Sequence, residues 1–428
     1  MTATPPPIPR TITEASCADD YDPNSMPVAK ARAFIGQFLE PVSGIVRVPI
    51  RGALGRVLAA AIASPVDVPA HRNSAMDGWA MRAADLDPAG VLPLAEIGAS
   101  FAGKPFAGSV GAGQCVRIFT GGVVPDGADT VVMQEKARAD GKAIVFAPGA
   151  ALGQNVRHAG EDLKAGSVAL ARGRLVRPAE LGLLASLGIG EVAVYRKLRV
   201  AFFSTGDELR SVGTPLGAGE IYDSNRYTLF GMLERMGCEA LDMGVVRDDP
   251  AALEQAFRDA AANADVVITS GGVSVGEADF VKQLMDKLGE VVFWKIAMKP
   301  GRPLAYGKIQ GAHFFGLPGN PVSVMVTFYQ FVRDALLTLQ GVAPLPPLPM
   351  LKAVCTSGIR KAPGRTEFQR GILSDAGDGT WTVRTTGEQG SGILTSMSSA
   401  NCFIVLGDHV GNVEPGMPVD VQVLESVL

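Results

Sequence analysis

This chain of 428 residues has no long apolar run, no excess of basic charge and no cluster of cysteine or histidine. Each absence excludes something. Its apolar runs, such as Val200–Phe203 and Val266–Ile268, fall far short of the roughly 20 residues that cross a bilayer as a helix. With 39 Lys and Arg against 43 Asp and Glu, the net charge is −4. A nucleic-acid binder needs a basic face to neutralise phosphates, so that class is set aside. Local basic loops still leave acidic substrates open. Five cysteines (Cys17, Cys115, Cys238, Cys355, Cys402) are scattered, with no C-x-x-C, which fits neither a disulfide framework nor a zinc site and reads as buried thiols. Four histidines (His71, His158, His313, His409) form no H-E-x-x-H or similar set. Residues 1–25 are rich in proline and acid and lack the basic start and apolar stretch of a signal peptide. They read as a flexible tail, and the protein is expected to stay in the cytoplasm, off the membrane.

What is present divides the chain. Its length calls for about three domains, give or take one. Residues 26–63 suggest a helix (Val28 to Leu39), an extended piece (Ile45–Val48) and a second helix (Leu54–Ala61). From 64 to 161, Gly, Pro and Asp punctuate short runs at Cys115–Phe119, Thr130–Gln134 and Ala143–Phe146, the texture of an all-β module. Residues 162–197 return to mixed character, with a helix at Ala179–Leu187. Paired with 26–63 they make a discontinuous α/β domain into which the β module is inserted. Over 198–341 strands alternate with helices: Val200–Ser204, a helix near Ser224–Met236, Glu239–Val246, a helix from Pro250, Asp265–Ser270, a helix carrying Phe280 to Leu288, three more extended stretches (Val291–Ala297, Leu304–Lys308, Ala312–Gly316) and a long helix from Pro321. That alternation predicts a mainly parallel, doubly wound sheet. After the proline-rich 341–349, short runs over 350–428 predict a small β-barrel.

Ligands of a doubly wound sheet bind beyond the carboxyl ends of its strands. Five loops occupy those ends: Ser204–Leu209, Val246–Pro250, Thr269–Asp279, Lys295–Pro303 and Gly316–Ser323. Gly271, Gly272 and Ser274 make a candidate phosphate cradle near a helix start, although glycines also end strands for steric reasons alone. Gly319-Asn320-Pro321 places an N-cap and a first-turn proline at another helix start, anion-friendly or simply a cap. Glu208, Asp248 and Asp279 come from three separate loops and could meet at one Mg²⁺, a hard cation that takes oxygen ligands. Lys295, Lys299 and Arg302 supply charge for a phosphate or oxyanion. A loop charge is usually only solvated, but six on one rim point to metal-assisted phosphoryl or nucleotidyl chemistry.

Seven motifs in order carry a resemblance: N-S-A-M-D-G-W-A (Asn73–Ala80), T-G-G-V-V-P-D-G-A-D-T-V-V (Thr120–Val132), G-E-D (Gly160–Asp162), S-T-G-D-E-L, T-S-G-G-V-S-V-G-E-A-D, K-I-A-M-K-P-G-R-P and L-P-G-N-P-V-S. Together they resemble the MoeA family of molybdopterin molybdenumtransferases, which includes the E domain of gephyrin, from about Met26 to the C-terminus. The resemblance implies a homodimer of four-domain subunits whose active site is built between subunits. It implies transfer of molybdate to the dithiolene of adenylylated molybdopterin with Mg²⁺ and release of AMP. By motif position, Asp77, Glu208, Asp248, Asp279, Lys295 and Lys299 would be catalytic. Thr120, Asp162, Pro318, Pro321, Arg370 and Ser391 would join the Gly271 loop and Arg302 in holding substrate. Asp77 also fits a hairpin turn, and Thr120 a strand end. Partners would include the adenylyltransferase of the preceding step and recipient molybdoenzymes.

Two departures stand out. Arg302 replaces the second lysine of the family's K-P-G-K-P, keeping charge but presenting a planar fork. Trp79 stands where the family often has Tyr. A non-catalytic molybdopterin carrier or scaffold of the same fold is the alternative, and the complete set of acids and lysines argues against it. A stand-alone adenylyltransferase would be much shorter. A dinucleotide-dependent dehydrogenase would need a G-x-G-x-x-G after the first strand, which is absent.

Overall fold

In the computed structural model, residues 11–13, 25–86, 93–141, 143–272 and 278–424 are described, and for 278–282 the backbone alone. The chain opens with α1 (Val28–Gly36), β1 (Ile45–Pro49) and β2 (Ile62–Ala63). The helix expected at Leu54–Ala61 is not formed. A 3₁₀ turn at Ile50–Ala53 precedes it, Gly55 takes φ +73°, and Val57 and Leu58 bridge to Leu175 and Val194. The apolar residues there face opposite neighbours, which an extended chain permits and a helix does not.

Short strands follow: β3 (Asn73–Ser74), β4 (Gly78–Met81), β5 (Pro93–Ser100), β6 (Gln114–Ile118), β7 (Thr130–Met133), β8 (Ala137–Asp140), β9 (Ala143–Phe146), β10 (Val156–Arg157) and β11 (Val168–Leu170). Six of them make a sheet of order β7-β4-β6-β5-β9-β8. A Cβ on Gly78 would overlap the Val132 carbonyl, so the close approach of β4 to β7 needs glycine there. Next come α2 (Pro178–Ser186) and β12 (Glu191–Tyr195). β12 pairs with β1, and β11 pairs with β2. The inserted strands therefore begin and end beside one another.

The segment beyond supplies β13 (Arg199–Thr205), β14 (Leu209–Arg210), β15 (Ile221–Tyr222), α3 (Ser224–Arg235), β16 (Glu239–Val246), α4 (Pro250–Asn263), β17 (Val266–Ser270), α5 (Ala278–Leu288), β18 (Gly289–Lys295), β19 (Met298–Lys299), β20 (Pro303–Ile309), β21 (Ala312–Leu317), α6 (Pro321–Thr327) and α7 (Arg333–Leu339). Its sheet runs β16-β13-β17-β21-β20-β18. The first four strands are parallel, and β20 lies antiparallel to both neighbours. Alternation along β13 feeds two cores. Val200 and Phe202 face α1, α3 and the long helix, whereas Ala201 and Phe203 face α4 and α5. α4 buries Leu253, Ala256, Phe257, Ala260 and Ala261, one face at helical spacing. Asp249 caps it and Pro250 fills its first turn. Phe257 lies edge-on to Phe203 at 5.1 Å and to Phe314 at 5.5 Å.

α6 and α7 are one helix with a π-helical step at Phe328–Val332. Pro321–Leu339 is long and apolar enough to cross a membrane, but 78% of it is buried inside the fold, the mark of a core helix. On the interior strand β21, buried His313 has Nδ1 3.5 Å from the Tyr306 hydroxyl. Burial, with Lys308 nearby, pushes its pKa down to about 4.

The last part holds β22 (Met350–Cys355), β23 (Thr366–Asp375), β24 (Trp381–Thr385), α8 (Leu394–Ser399), β25 (Cys402–Leu406) and β26 (Pro418–Val423). β23 pairs with both β24 and β25, which closes a five-stranded barrel. Cys115, Cys238, Cys355 and Cys402 are free and buried. Most of the expected flexible tail lies outside the described residues. Thr11–Thr13 differs from that expectation: Ile12 is buried in the main core and its N–H donates to Glu290.

Candidate functional site

Five strand-end loops of the α/β sheet meet in one cleft of about 710 Å³, within the range of ligand pockets. Gly206 and Glu208 come from the end of β13, Asp248 from the end of β16, and Gly271 and Gly272 from the end of β17. Lys299 and Arg302 follow β18, and Pro318 to Pro321 link β21 to α6. A sixth wall, Gln389 to Ser391, comes from the barrel.

Local chemistry explains this convergence. Gly271 (φ +93°) sits so close to β13 that a Cβ would lie 2.6 Å from the Thr205 carbonyl oxygen. Only glycine lets those two strand ends close the floor. Asp223, almost fully buried, accepts from the Ser204 hydroxyl at 3.0 Å and from the Arg226 N–H at 3.2 Å, fixing the start of α3. Asn225 donates to the Ser270 hydroxyl at 2.7 Å and to the Gly319 carbonyl at 2.6 Å. One amide thus ties the start of α3 to the end of β17 and to the loop after β21. Asn320 stands at the N-cap of α6 but makes no side-chain cap bond; instead the Val322 N–H donates to the Ser391 carbonyl at 3.1 Å.

Lys299 reaches the cleft from β19, which lies parallel to β23 of the barrel with Lys299 opposite Glu367. Ser391 lines the cleft, whereas Arg370 is placed beneath it. Arg370 is 1% exposed, and its guanidinium donates to the Ser396 hydroxyl and the Gly390 carbonyl, each at 3.0 Å. Burial lowers its pKa to about 10. It is not among the cleft-lining residues; its hydrogen bond to Gly390 holds the loop that forms the sixth wall. Lys295, the last residue of β18, is not among the cleft-lining residues. Ser274 lies outside the described residues, as does the side chain of Asp279.

Asp77 and Thr120 are brought together elsewhere, on the inserted β module. One Asp77 carboxylate oxygen accepts from the Thr120 N–H at 2.7 Å and from its hydroxyl at 2.8 Å. Those bonds, with the charge of Arg117, lower the Asp77 pKa. The Arg117 guanidinium lies over Trp79 (4.3 Å) and Phe119 (5.0 Å), and Phe119 stacks on Phe101 at 4.8 Å. Asp162 stands apart in an exposed turn, its N–H bonded to Val68. None of Asp77, Thr120 and Asp162 lines the cleft of its own chain.

Sequence reasoning missed Arg117, Asp223, Asn225 and Glu367. A lone arginine inside the apolar run Cys115–Phe119 was a readable signal. The buried Asp223 and Asn225 had none, because D-S-N before a helix reads as an ordinary cap.

With this geometry in view, the comparisons with known proteins decide the family. The chain matches the MoeA N-terminal region (domain I and II) over residues 26–188, a probable molybdopterin binding domain over 201–338, and the MoeA C-terminal region (domain IV) over 352–424. It is 47% identical to a molybdopterin molybdenumtransferase of Haemophilus influenzae, over 89% of this chain and 94% of that one. The chain belongs to the MoeA family. A gephyrin of Dictyostelium discoideum is 32% identical over 92% of this chain and 62% of that one. The crystal structure of a molybdopterin biosynthesis moeA protein of Pyrococcus horikoshii superposes with a TM-score of 0.81, at 29% identity, covering 94% of this chain and 100% of that one. A MoeA-family fold thus carries the cleft.

Proposed function

We propose that this protein is the transferase of molybdenum cofactor biosynthesis that places molybdate on the dithiolene of adenylylated molybdopterin, with hydrolysis of the phosphoanhydride and release of AMP. The observation that carries this is one cleft in which Glu208 and Asp248 stand with Lys299, Arg302 and the Gly271-Gly272 backbone. Its relatives named molybdopterin molybdenumtransferase support the same assignment.

The roles follow from chemistry. Lys299 and Arg302 hold oxyanion or phosphate oxygens by charge-assisted hydrogen bonds. Backbone N–H groups at Gly271 and Gly272 add uncharged donors. The carboxylates Glu208 and Asp248 suit a hard cation, and no thiol or imidazole lines the cleft among the described residues. Those two, with Asp279, would hold Mg²⁺, which supplies charge to polarise the phosphoanhydride. Molybdenum exchanges oxygen for sulfur ligands without a change of oxidation state, so no redox partner is required.

The working form is a homodimer in the cytoplasm. Asp77 and Thr120 complete the cleft of the second copy; their position outside their own cleft supports this, as do exposed Tyr227 and Phe230 on α3 beside it. The adenylyltransferase of the preceding step delivers substrate, and recipient molybdoenzymes take the product. The test incubates the purified protein with adenylylated molybdopterin, Mg²⁺ and molybdate, following AMP and reconstitution of a cofactor-free molybdoenzyme. Molybdate-dependent AMP release with active enzyme is expected. Tight pterin binding with neither outcome would make the protein a carrier.

A further inference from the structure

Glu367 is a buried carboxylate, 6% exposed, at the second position of β23. Burying an ionised carboxylate is costly unless hydrogen bonds and an opposite charge compensate. The hydrogen bond is present: the Gln369 side-chain amide donates to Oε2 at 2.7 Å. The charge comes from across the domain boundary. Oε1 lies 3.9 Å from the ammonium of Lys299, its ion-pair partner among the described residues. Lys299 itself is half exposed and lines the cleft.

The backbone makes this pair reproducible. β19 and β23 run parallel in register, Met298 opposite Thr366 and Lys299 opposite Glu367, and the Thr366 N–H donates to the Ala297 carbonyl at 2.9 Å. A parallel pair in this register sets both side chains near one another, and burial of Glu367 fixes one end. The ammonium therefore has two claimants, the barrel carboxylate behind it and the anion in front. At 3.9 Å the ion pair is looser than a direct hydrogen bond. Such a partner can orient a lysine and still leave it free to shift toward a ligand.

We infer that Glu367 is a positioning residue, through which the barrel aims the Lys299 ammonium into the cleft and competes with the bound oxyanion for it. This rests on Lys299 being an oxyanion holder. The competition has a purpose: molybdate must leave the lysine to reach sulfur, and a counter-charge behind the ammonium weakens its hold. The barrel thus tunes release as well as walling the cleft.

The experiment measures binding of molybdate alone by calorimetry, and kcat and KM, on the whole protein. Glu367→Gln preserves shape and the contact to Gln369 while removing the charge. It is expected to bind molybdate about 3- to 10-fold more tightly, the order expected for one nearby charge at a half-exposed site, while kcat falls. Glu367→Asp, which retracts the carboxylate, should lie between wild type and Gln, and carries the same test should the Gln variant not fold. Lys299→Ala should weaken molybdate binding strongly, and adding Glu367→Gln to it should leave the remaining affinity unchanged. Unchanged or weaker binding by Glu367→Gln, or the same shift in the Lys299→Ala background, overturns the inference. Wild-type binding by Lys299→Ala instead overturns the oxyanion role of Lys299, and the two failures are separable.

Discussion

The cleft of the α/β sheet and the Asp77–Thr120 corner of the β module both carry residues expected to act on one substrate, yet they are built in opposite ways. The cleft is assembled from six separate loops, locked by buried polar side chains such as Asp223 and Asn225. The corner joins the ends of β4 and β6 at the surface, where a half-buried acid takes hydrogen bonds from the exposed Thr120, 43 residues further along the chain. A floor made by long-range contacts is organised before any ligand arrives. A pair of residues at the surface gains its chemistry only when something covers it and excludes water. The difference fits the proposal that the corner is half of a site completed by a second copy.

The sharpest way to break this comparison mixes two dead proteins. Asp77→Asn and Lys299→Ala are each expected to lose about 10³-fold in molybdate transfer, the scale of removing a main electrostatic group. Coexpressed, they should regain about a quarter of wild-type activity, because half of the dimers are mixed and each has one intact site. No recovery in mixtures shown to contain the mixed dimer would place both residues at one chain's site. A smaller effect is expected of Arg370→Met, which leaves the Gly390 carbonyl without its buried donor. It should cost about 2 kcal/mol in stability and raise KM more than it lowers kcat; thermal unfolding and steady-state kinetics measure both. An unchanged KM would detach the barrel loop from substrate binding.

The smallest effect concerns neither region and serves as the control. His313 is held neutral, its pKa lowered from 6.5 to about 4 by burial. Below pH 6.5 the unfolded chain takes up a proton that the folded chain refuses, so stability falls as pH drops from about 6.5 to about 4. His313→Gln should flatten that slope in urea titrations at several pH values and leave turnover at neutral pH unaltered. A slope unchanged in the variant would remove His313 from the acid response.

Much of the cleft was legible because strand-end loops advertise themselves. Glu239–Val246 appears with the expected bounds, and the glycines and charges between strands fall on one rim. Two kinds of residue were not legible. T-E-F-Q-R-G in β23 looks like a solvated run, so the longest strand of the barrel went unpredicted; its Glu367, Gln369 and Arg370 are all buried. Their burial is decided by contacts with residues far along the chain, which local pattern does not encode. Leu54–Ala61 failed for the converse reason: its apolar residues are shared between two neighbours, and helical spacing arose by accident. Lys295, at the end of β18, is not among the residues that line the cleft.

The pairing of β2 with β11 has a consequence of its own. Ile62 lies opposite Leu170, and Ala63 opposite Val168, so the chain leaves for the β module and returns within one strand spacing. A loop anchored this way costs the host only about 3 kcal/mol more in closure when it carries a hundred residues than when it is a tight turn, since the penalty grows with the logarithm of length. The module is a limb on a two-stranded wrist, with apolar clusters of its own, separate from those of the doubly wound sheet and the barrel. On the proposed dimer, evolution can therefore rework the hand that would reach a second copy without disturbing the palm that would hold the substrate.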